Sequence, residues 1–208
     1  MSKSKLIIPI FILSILILQN QVLGSSWYFK GFMSDDFSGI GEATTVYAVS
    51  TFQMLGYNNM SGIHNNYTVT SSKSDVLEYI NYLGNNFGFY VNAHGNADLF
   101  TMQNGNPNQY IYPSDISGYW HFVFLDCCSC LATDKFARAF QTVGYSNRST
   151  LGWYENVTVG GAEEWWWNFS NVAGSTNIRS ACLTAADRST NYTPIRIYGD
   201  KTWTGIAL

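Results

Sequence analysis

The chain of 208 residues predicts an α/β protein with a mostly parallel sheet of about six strands and helices on both faces. Three observations carry that prediction. Phe87–Val91 and Phe122–Leu125 are short apolar runs rich in β-formers, too short for buried helices, and read as strands buried on both sides. Segments of helical spacing alternate with such runs almost throughout. Both strands also run directly into polar residues that can do chemistry, Asn92-Ala93-His94-Gly95-Asn96 and Asp126-Cys127-Cys128-Ser129-Cys130. The carboxyl ends of strands are where open α/β sheets place their ligands.

Taken in order, Trp27 to Phe32 reads as the first strand, and Ser34 to Gly39, with Asp35 and Asp36, as a solvated loop. Glu42 to Leu55 is a helix with Val46, Val49 and Phe52 at helical spacing, ended by Gly56. A weaker strand is expected near Ser61 to Asn65. Ser74-Asp75 caps a helix carrying Val76, Leu77, Ile80 and Leu83, stopped by Gly84. After the His94 strand, Leu99–Gln103 and Gln109–Tyr112 flank Asn104-Gly105-Asn106-Pro107-Asn108, which predicts a small β-hairpin excursion beside the strand ends. The Cys128 strand follows. Asp134–Thr142 reads as a helix, Thr150–Trp153 as a strand, Ala162–Phe169 as a helix after Gly160-Gly161, Ile178–Asp187 as a helix and Ile195–Tyr198 as the last strand. Trp165, Trp166 and Trp167 point about 100° apart on a helix, so at least one is expected outside the core.

Charged residues are 12% of the chain and the net charge is −3. No basic patch exists, which argues against a nucleic-acid partner. Lys3 and Lys5 precede an apolar run, Leu6 to Leu18, and Val22-Leu23-Gly24 leads into small residues. This reads as a signal peptide over residues 1–24, leaving one domain over 25–208. The run is short of the roughly 20 residues a spanning helix needs; an uncleaved anchor is the lesser reading. Cleavage there would take the net charge from −3 to −5. Export agrees with Asn-x-Ser/Thr sequons at Asn59, Asn66, Asn147, Asn156, Asn168 and Asn191, which would be surface loops if glycosylated.

If the His94 and Cys128 strands are neighbours, imidazole and thiol meet without any local motif. Strand alternation puts Asp126 and Cys128 on one side and Cys127 on the other. An apolar strand ending in His-Gly, then an apolar strand ending in a small residue and Cys, resembles the caspase-like (clan CD) cysteine peptidases. Asp126-Cys127-Cys128 looks most like the metacaspase block, although Ser129-Cys130-Leu131 replaces its His-Ser-Gly. Tyr198-Gly199-Asp200 looks like the Gly-Asp-Pro-Thr near the end of gingipain-type domains. The resemblance implies a three-layer caspase-like fold and a secreted endopeptidase acting on peptide or protein substrates. Cys128 would be the nucleophile and His94 the proton carrier. The backbone N–H groups of Gly95 and Cys128 would serve as oxyanion donors, with no cofactor or metal. It also points to Arg or Lys before the cut. A buried Asp126 needs a partner, and a substrate cation would supply one. The bland reading is an Asp126 hydrogen-bonded to its own surroundings.

The rival reading is a non-catalytic exported binding module of the same fold, stapled by disulfides. Four cysteines in an exported chain suggest two bridges. Cys130 with Cys182 is the pairing expected here, with Cys127 as a small buried apolar residue. A zinc site from Cys127, Cys128, Cys130 and a His fits poorly, because adjacent ligands break the usual spacing. His64 and His121 read as structural.

Overall fold

A computed structural model describes residues 28–37, 39, 41–59, 67–68, 71–82 and 87–204. The predicted leader (residues 1–24), the weak strand expected near Ser61–Asn65 and His64 lie outside these residues.

In chain order the described strands are β1 (Tyr28–Met33), β2 (Asn58–Asn59), β3 (Tyr67–Thr68), β4 (Phe87–Asn92), β5 (His94–Gly95), β6 (Phe100–Thr101), β7 (Tyr110–Ile111), β8 (Phe122–Asp126), β9 (Ser149–Trp153) and β10 (Ile195–Gly199). The helices are α1 (Glu42–Met54), α2 (Lys73–Tyr82), α3 (Lys135–Ala139), α4 (Val159–Ser170) and α5 (Ile178–Arg188). The main sheet runs β10-β9-β8-β4-β1, and β2 and β3 pair with successive stretches of the outer edge of β1. Its pairings are parallel except β10 on β9, which is antiparallel.

Burial on both faces follows from residue alternation. Phe122 and Phe124 of β8 point into one cluster, with Ala48 and Phe52 of α1, Trp165, Trp166 and Phe169 of α4, and Ala181 and Ala185 of α5. Val123 and Leu125 point into the other, with Val76 and Ile80 of α2 and Phe136 of α3. The result is the expected three layers. Phe124 sits 4.4 Å from the Trp166 ring and 5.4 Å from Trp165, centroid to centroid; cutting it to alanine should cost about 3–5 kcal/mol.

Local details shift several boundaries. α1 buries Thr45, Ala48, Val49 and Phe52, while Val46 faces out, so its apolar stripe is partly made of threonines. The cap of α2 lies earlier than read. Ser72 N–H and Oγ donate to Asp75 Oδ2 at 2.8 and 2.7 Å, and Asp75 N–H returns to Ser72 Oγ at 3.3 Å. α3 is cut to one turn and a half, and Gln141 adopts φ 53° behind it. α4 begins at Val159, because the Thr158 hydroxyl accepts the Gly161 N–H at 3.1 Å. Trp165 and Trp166 are fully buried and Trp167 is 53% exposed against Tyr47, as the 100° spacing requires.

The hairpin forms, with Asn106 capping a 3-10 turn at Pro107–Gln109. It carries a third strand beyond the two the sequence predicts: β5 pairs antiparallel with β6, His94 opposite Thr101 and Gly95 opposite Phe100.

Candidate active site

Register sets the site. β4 and β8 pair so that Asn92 lies opposite Asp126. His94 and Cys128 are each two residues beyond that pair, on neighbouring strand ends about 4.8 Å apart at the backbone. The Ala93 N–H donates to the Asp126 carbonyl at 3.2 Å and extends the ladder by one bond.

His94 is half-buried, its ring 4.8 Å from Phe37. Phe37 ends a 3-10 turn, Asp35–Phe37, that follows β1. The segment read as a solvated loop therefore supplies a wall of the site, though Asp35 and Asp36 are exposed. Cys128 is a free thiol, half-buried, with Sγ 3.5 Å from the Val157 carbonyl oxygen. Its backbone N–H makes no hydrogen bond among the described residues, so it remains open to an incoming oxygen.

Both residues line two cavities. One, of about 170 Å³, is bounded by Phe37, Thr44, Asn92, Asp126, Val157 and Ala162 besides the pair. The other, of about 410 Å³, is bounded by Gly95, Asn96, Leu99, Thr101, Asn104 and Tyr110 besides the pair. The first is mainly apolar and lies at the ends of the main sheet. The second is built by the β5-β6-β7 excursion and offers neutral hydrogen-bonding groups. His94 and Cys128 form the ridge where the two meet.

Asp126 is 5% exposed. Its Oδ1 accepts the Trp153 Nε1–H at 2.6 Å, and its Oδ2 accepts the Tyr90 hydroxyl at 2.8 Å and the Trp166 Nε1–H at 3.0 Å. Burial pushes its carboxyl up to about 6, and the three donors restrain the rise. The partners are thus side chains from β4, β9 and α4, none near Asp126 in sequence. Trp residues at 153 and 166, each needing a hydrogen-bond acceptor once buried, were the available signal.

The cysteines pair differently from the expectation. Cys127 is bridged to Cys130, and Cys182 is free. Cys130 belongs to the cluster under α2 and α3, whereas Cys182 on α5 belongs to the cluster on the opposite face. The sheet lies between them, so a Cys130–Cys182 bridge has no path. Cys127 points away from Cys128, as alternation requires, and its neighbour there is Cys130. Burial alone pushes the Cys182 thiol far above its ordinary value, leaving it an inert core side chain. With Cys127 and Cys130 joined, a zinc site would lack two of its three thiolates.

His121 lies one residue before β8, at the end remote from Cys128. Its Nδ1 is 2.6 Å from the Tyr57 hydroxyl and its ring packs edge-on to Trp203 at 4.9 Å. Burial, reinforced by Arg148, pushes its pKa down to about 4. It is a neutral structural histidine.

No protein-family profile matches the chain, and a search of curated proteins finds no match. Solved structures do match. The complex of the pro- and mature domains of Porphyromonas gingivalis RgpB superposes with a TM-score of 0.54 at 9% identity, over 86% of this chain and 49% of the other. The Arg-specific cysteine proteinase gingipain R (RgpB) gives 0.51 at 10% identity, over 86% and 48%. The fold is therefore the gingipain, caspase-like one, and the chain spans about half the length of these structures. Among the described residues no helix is long and apolar enough to cross a membrane.

Proposed function

We propose that the protein is a cysteine endopeptidase working through a Cys128–His94 dyad. The observation that carries this reading is the pair itself: a free thiol and an imidazole on adjacent strand ends, at the junction of two cavities. In the proposed reaction Cys128 Sγ attacks the carbonyl carbon, and its proton passes to His94. The oxyanion is met by the backbone N–H groups of Cys128 and Gly95. His94 returns the proton to the departing amine, leaving a thioester. Water, deprotonated by His94, then adds to the thioester and releases the acid and the thiol. Two cavities suit an endopeptidase, since chain must lie on both sides of the cut.

The cavity of about 170 Å³ would hold the side chain before the cut. Asp126 is the acidic residue lining it, so Arg or Lys is the proposed residue there. Three donors occupy Asp126 already, out of about four lone-pair positions on a carboxylate. A substrate cation would take the remaining direction and hold the group ionised. The gingipain likeness agrees in kind, as gingipain R is described as Arg-specific. We further propose export: a leader over residues 1–24, and sugar on exposed sequons such as Asn147 and Asn156.

The test uses internally quenched peptides with varied residues before the cut. Wild type should cleave after Arg or Lys. Cys128→Ala and His94→Ala should each abolish cleavage at unchanged melting temperature. An active Cys128→Ala protein would refute the dyad, and a wild type that cleaves no peptide would leave the non-catalytic binding module as the better reading.

A further inference from the structure

The Cys127–Cys130 bridge encloses the nucleophile. Cys127 precedes Cys128 and Cys130 follows it by two, so the bridge closes a small ring that includes the attacking residue. Within the ring Ser129 is left-handed, φ 56°, and the Cys130 N–H turns back to the Cys127 carbonyl at 3.3 Å. Such a turn is unfavourable for a residue with a β-carbon unless its surroundings impose it. The Ser129 N–H is tied outward to the Glu155 carbonyl at 3.0 Å.

The ring also touches the other half of the site. A β-carbon on Gly95 would fall 2.5 Å from Cys130 Sγ and 3.0 Å from Cys127 Cβ. Cys130 Sγ lies 3.9 Å from the Leu99 carbonyl oxygen, and that carbonyl accepts the Asn96 N–H at 2.9 Å. The bridge is therefore wedged between the nucleophile loop and the β5–β6 turn. These are the two segments that carry the Cys128 and Gly95 N–H groups. Both bridge cysteines are buried, at 1% and 0% exposure, while Cys128 is not.

We propose that the Cys127–Cys130 disulfide positions the active site: it fixes the spacing of the Gly95 and Cys128 donors, and its reduction lowers turnover although Cys128 is already a free thiol. This rests on the peptidase reading. A dithiol reductant gives up two electrons and closes to its own cyclic disulfide, while the Cys127–Cys130 bond becomes two thiols. Opening the bond replaces it by a van der Waals contact, which needs room, and Gly95 leaves none. The loop must then move, and misplacing a catalytic group by about 1 Å can cost on the order of 10²-fold in rate. An ordinary thiol peptidase gains activity in reductant until its nucleophile is fully reduced. This one, whose Cys128 is already free, should lose activity as the bridge opens.

The deciding variant is Cys127→Ala/Cys130→Ala, compared with wild type on one peptide substrate. We expect kcat to fall by about 10- to 100-fold, up to the loss from deleting an oxyanion donor, with KM nearly unchanged. Affinity for a peptide aldehyde, whose adduct carries the oxyanion, should fall by a similar factor. Alkylation of Cys128 by iodoacetamide, which needs no oxyanion donor, should keep its rate. Should the double variant fail to fold, wild type is titrated with dithiothreitol, with mass mapping of the bridge and circular dichroism of the fold. Turnover should fall as the bridge opens, with the fold retained. Full kcat in the double variant, or full turnover in wild type with the bridge shown open, overturns the inference alone. A wild type that hydrolyses no peptide overturns the peptidase reading as well.

Discussion

Replacing His121 by glutamine should turn a stability profile that is flat with pH into a falling one. Two buried titratable groups bracket β8 and act in opposite directions. Asp126 is pushed up from an ordinary 3.8 to about 6. Between those values the native state holds a proton that the unfolded chain has lost. Its contribution is complete below about 3.8 and is lost as pH rises through about 6. At 1.36 kcal/mol per unit, that is about 3 kcal/mol. His121 is pushed down from 6.5 to about 4. Between those values the unfolded chain binds a proton that the native state refuses. Its contribution is complete above about 6.5 and is lost as pH falls toward about 4, again about 3 kcal/mol. Over the shared window the two slopes cancel. His121→Gln leaves only the Asp126 slope, so stability should drop by about 2 kcal/mol from pH 4 to pH 6, the larger part of the full loss. Asp126→Asn should show the reverse, a rise across the same window. Asp75, Asp115, Asp200 and Glu164 are held below their ordinary values, so their contributions are present above about 4.5 and fade only as pH falls below it. The assay is urea unfolding followed by tryptophan fluorescence at half-unit pH steps, extrapolated to water. Each variant also changes absolute stability, but the readout is the slope. A flat His121→Gln profile, or a falling Asp126→Asn profile, would refute the assignment of these two groups.

The same carboxyl sets an enzymatic expectation. The ratio of kcat/KM for Arg over norleucine before the cut should climb with pH through about 6, as Asp126 ionises; a ratio independent of pH from 5 to 8 would count against Asp126 as the recognition group. Trp166→Phe removes one of the donors that restrain its pKa, so the midpoint of that climb should move to higher pH. For the dyad, the Cys128→Ala/His94→Ala double variant should lose no more activity than either single one, because the two residues act as a unit; additive losses would separate them. N-terminal sequencing of secreted material should begin near residue 25, and an intact Met1 would contradict the leader.

What could be read from sequence depended on whether the deciding contacts were local. β4 and β8 were legible because strands buried on both faces are apolar throughout. Once they are adjacent, their polar tails must meet. The hairpin was legible from Asn104-Gly105-Asn106-Pro107, whose turn chemistry is self-contained. α4 starts three residues before the sequence pattern places it, because Gly160 and Gly161 are poor helix formers and the Thr158 cap outweighs them. The Cys127–Cys130 pairing depended on which sheet face Cys182 occupies, a property of the packed helices. The hydrogen bonds that satisfy Asp126 come from residues 36 before and 27 and 40 after it. No local pattern joins them. β5 is two residues long and exists only because β6 is beside it.

We propose Cys128 as a nucleophile activated by His94. The most direct test is a peptidyl chloromethyl ketone with Arg next to the reactive group, followed by mass mapping of every cysteine. A single adduct on Cys128 is expected, formed far more slowly in His94→Ala and blocked by an Arg-containing peptide. An unlabelled Cys128, or labelling equally fast without His94, would contradict the account.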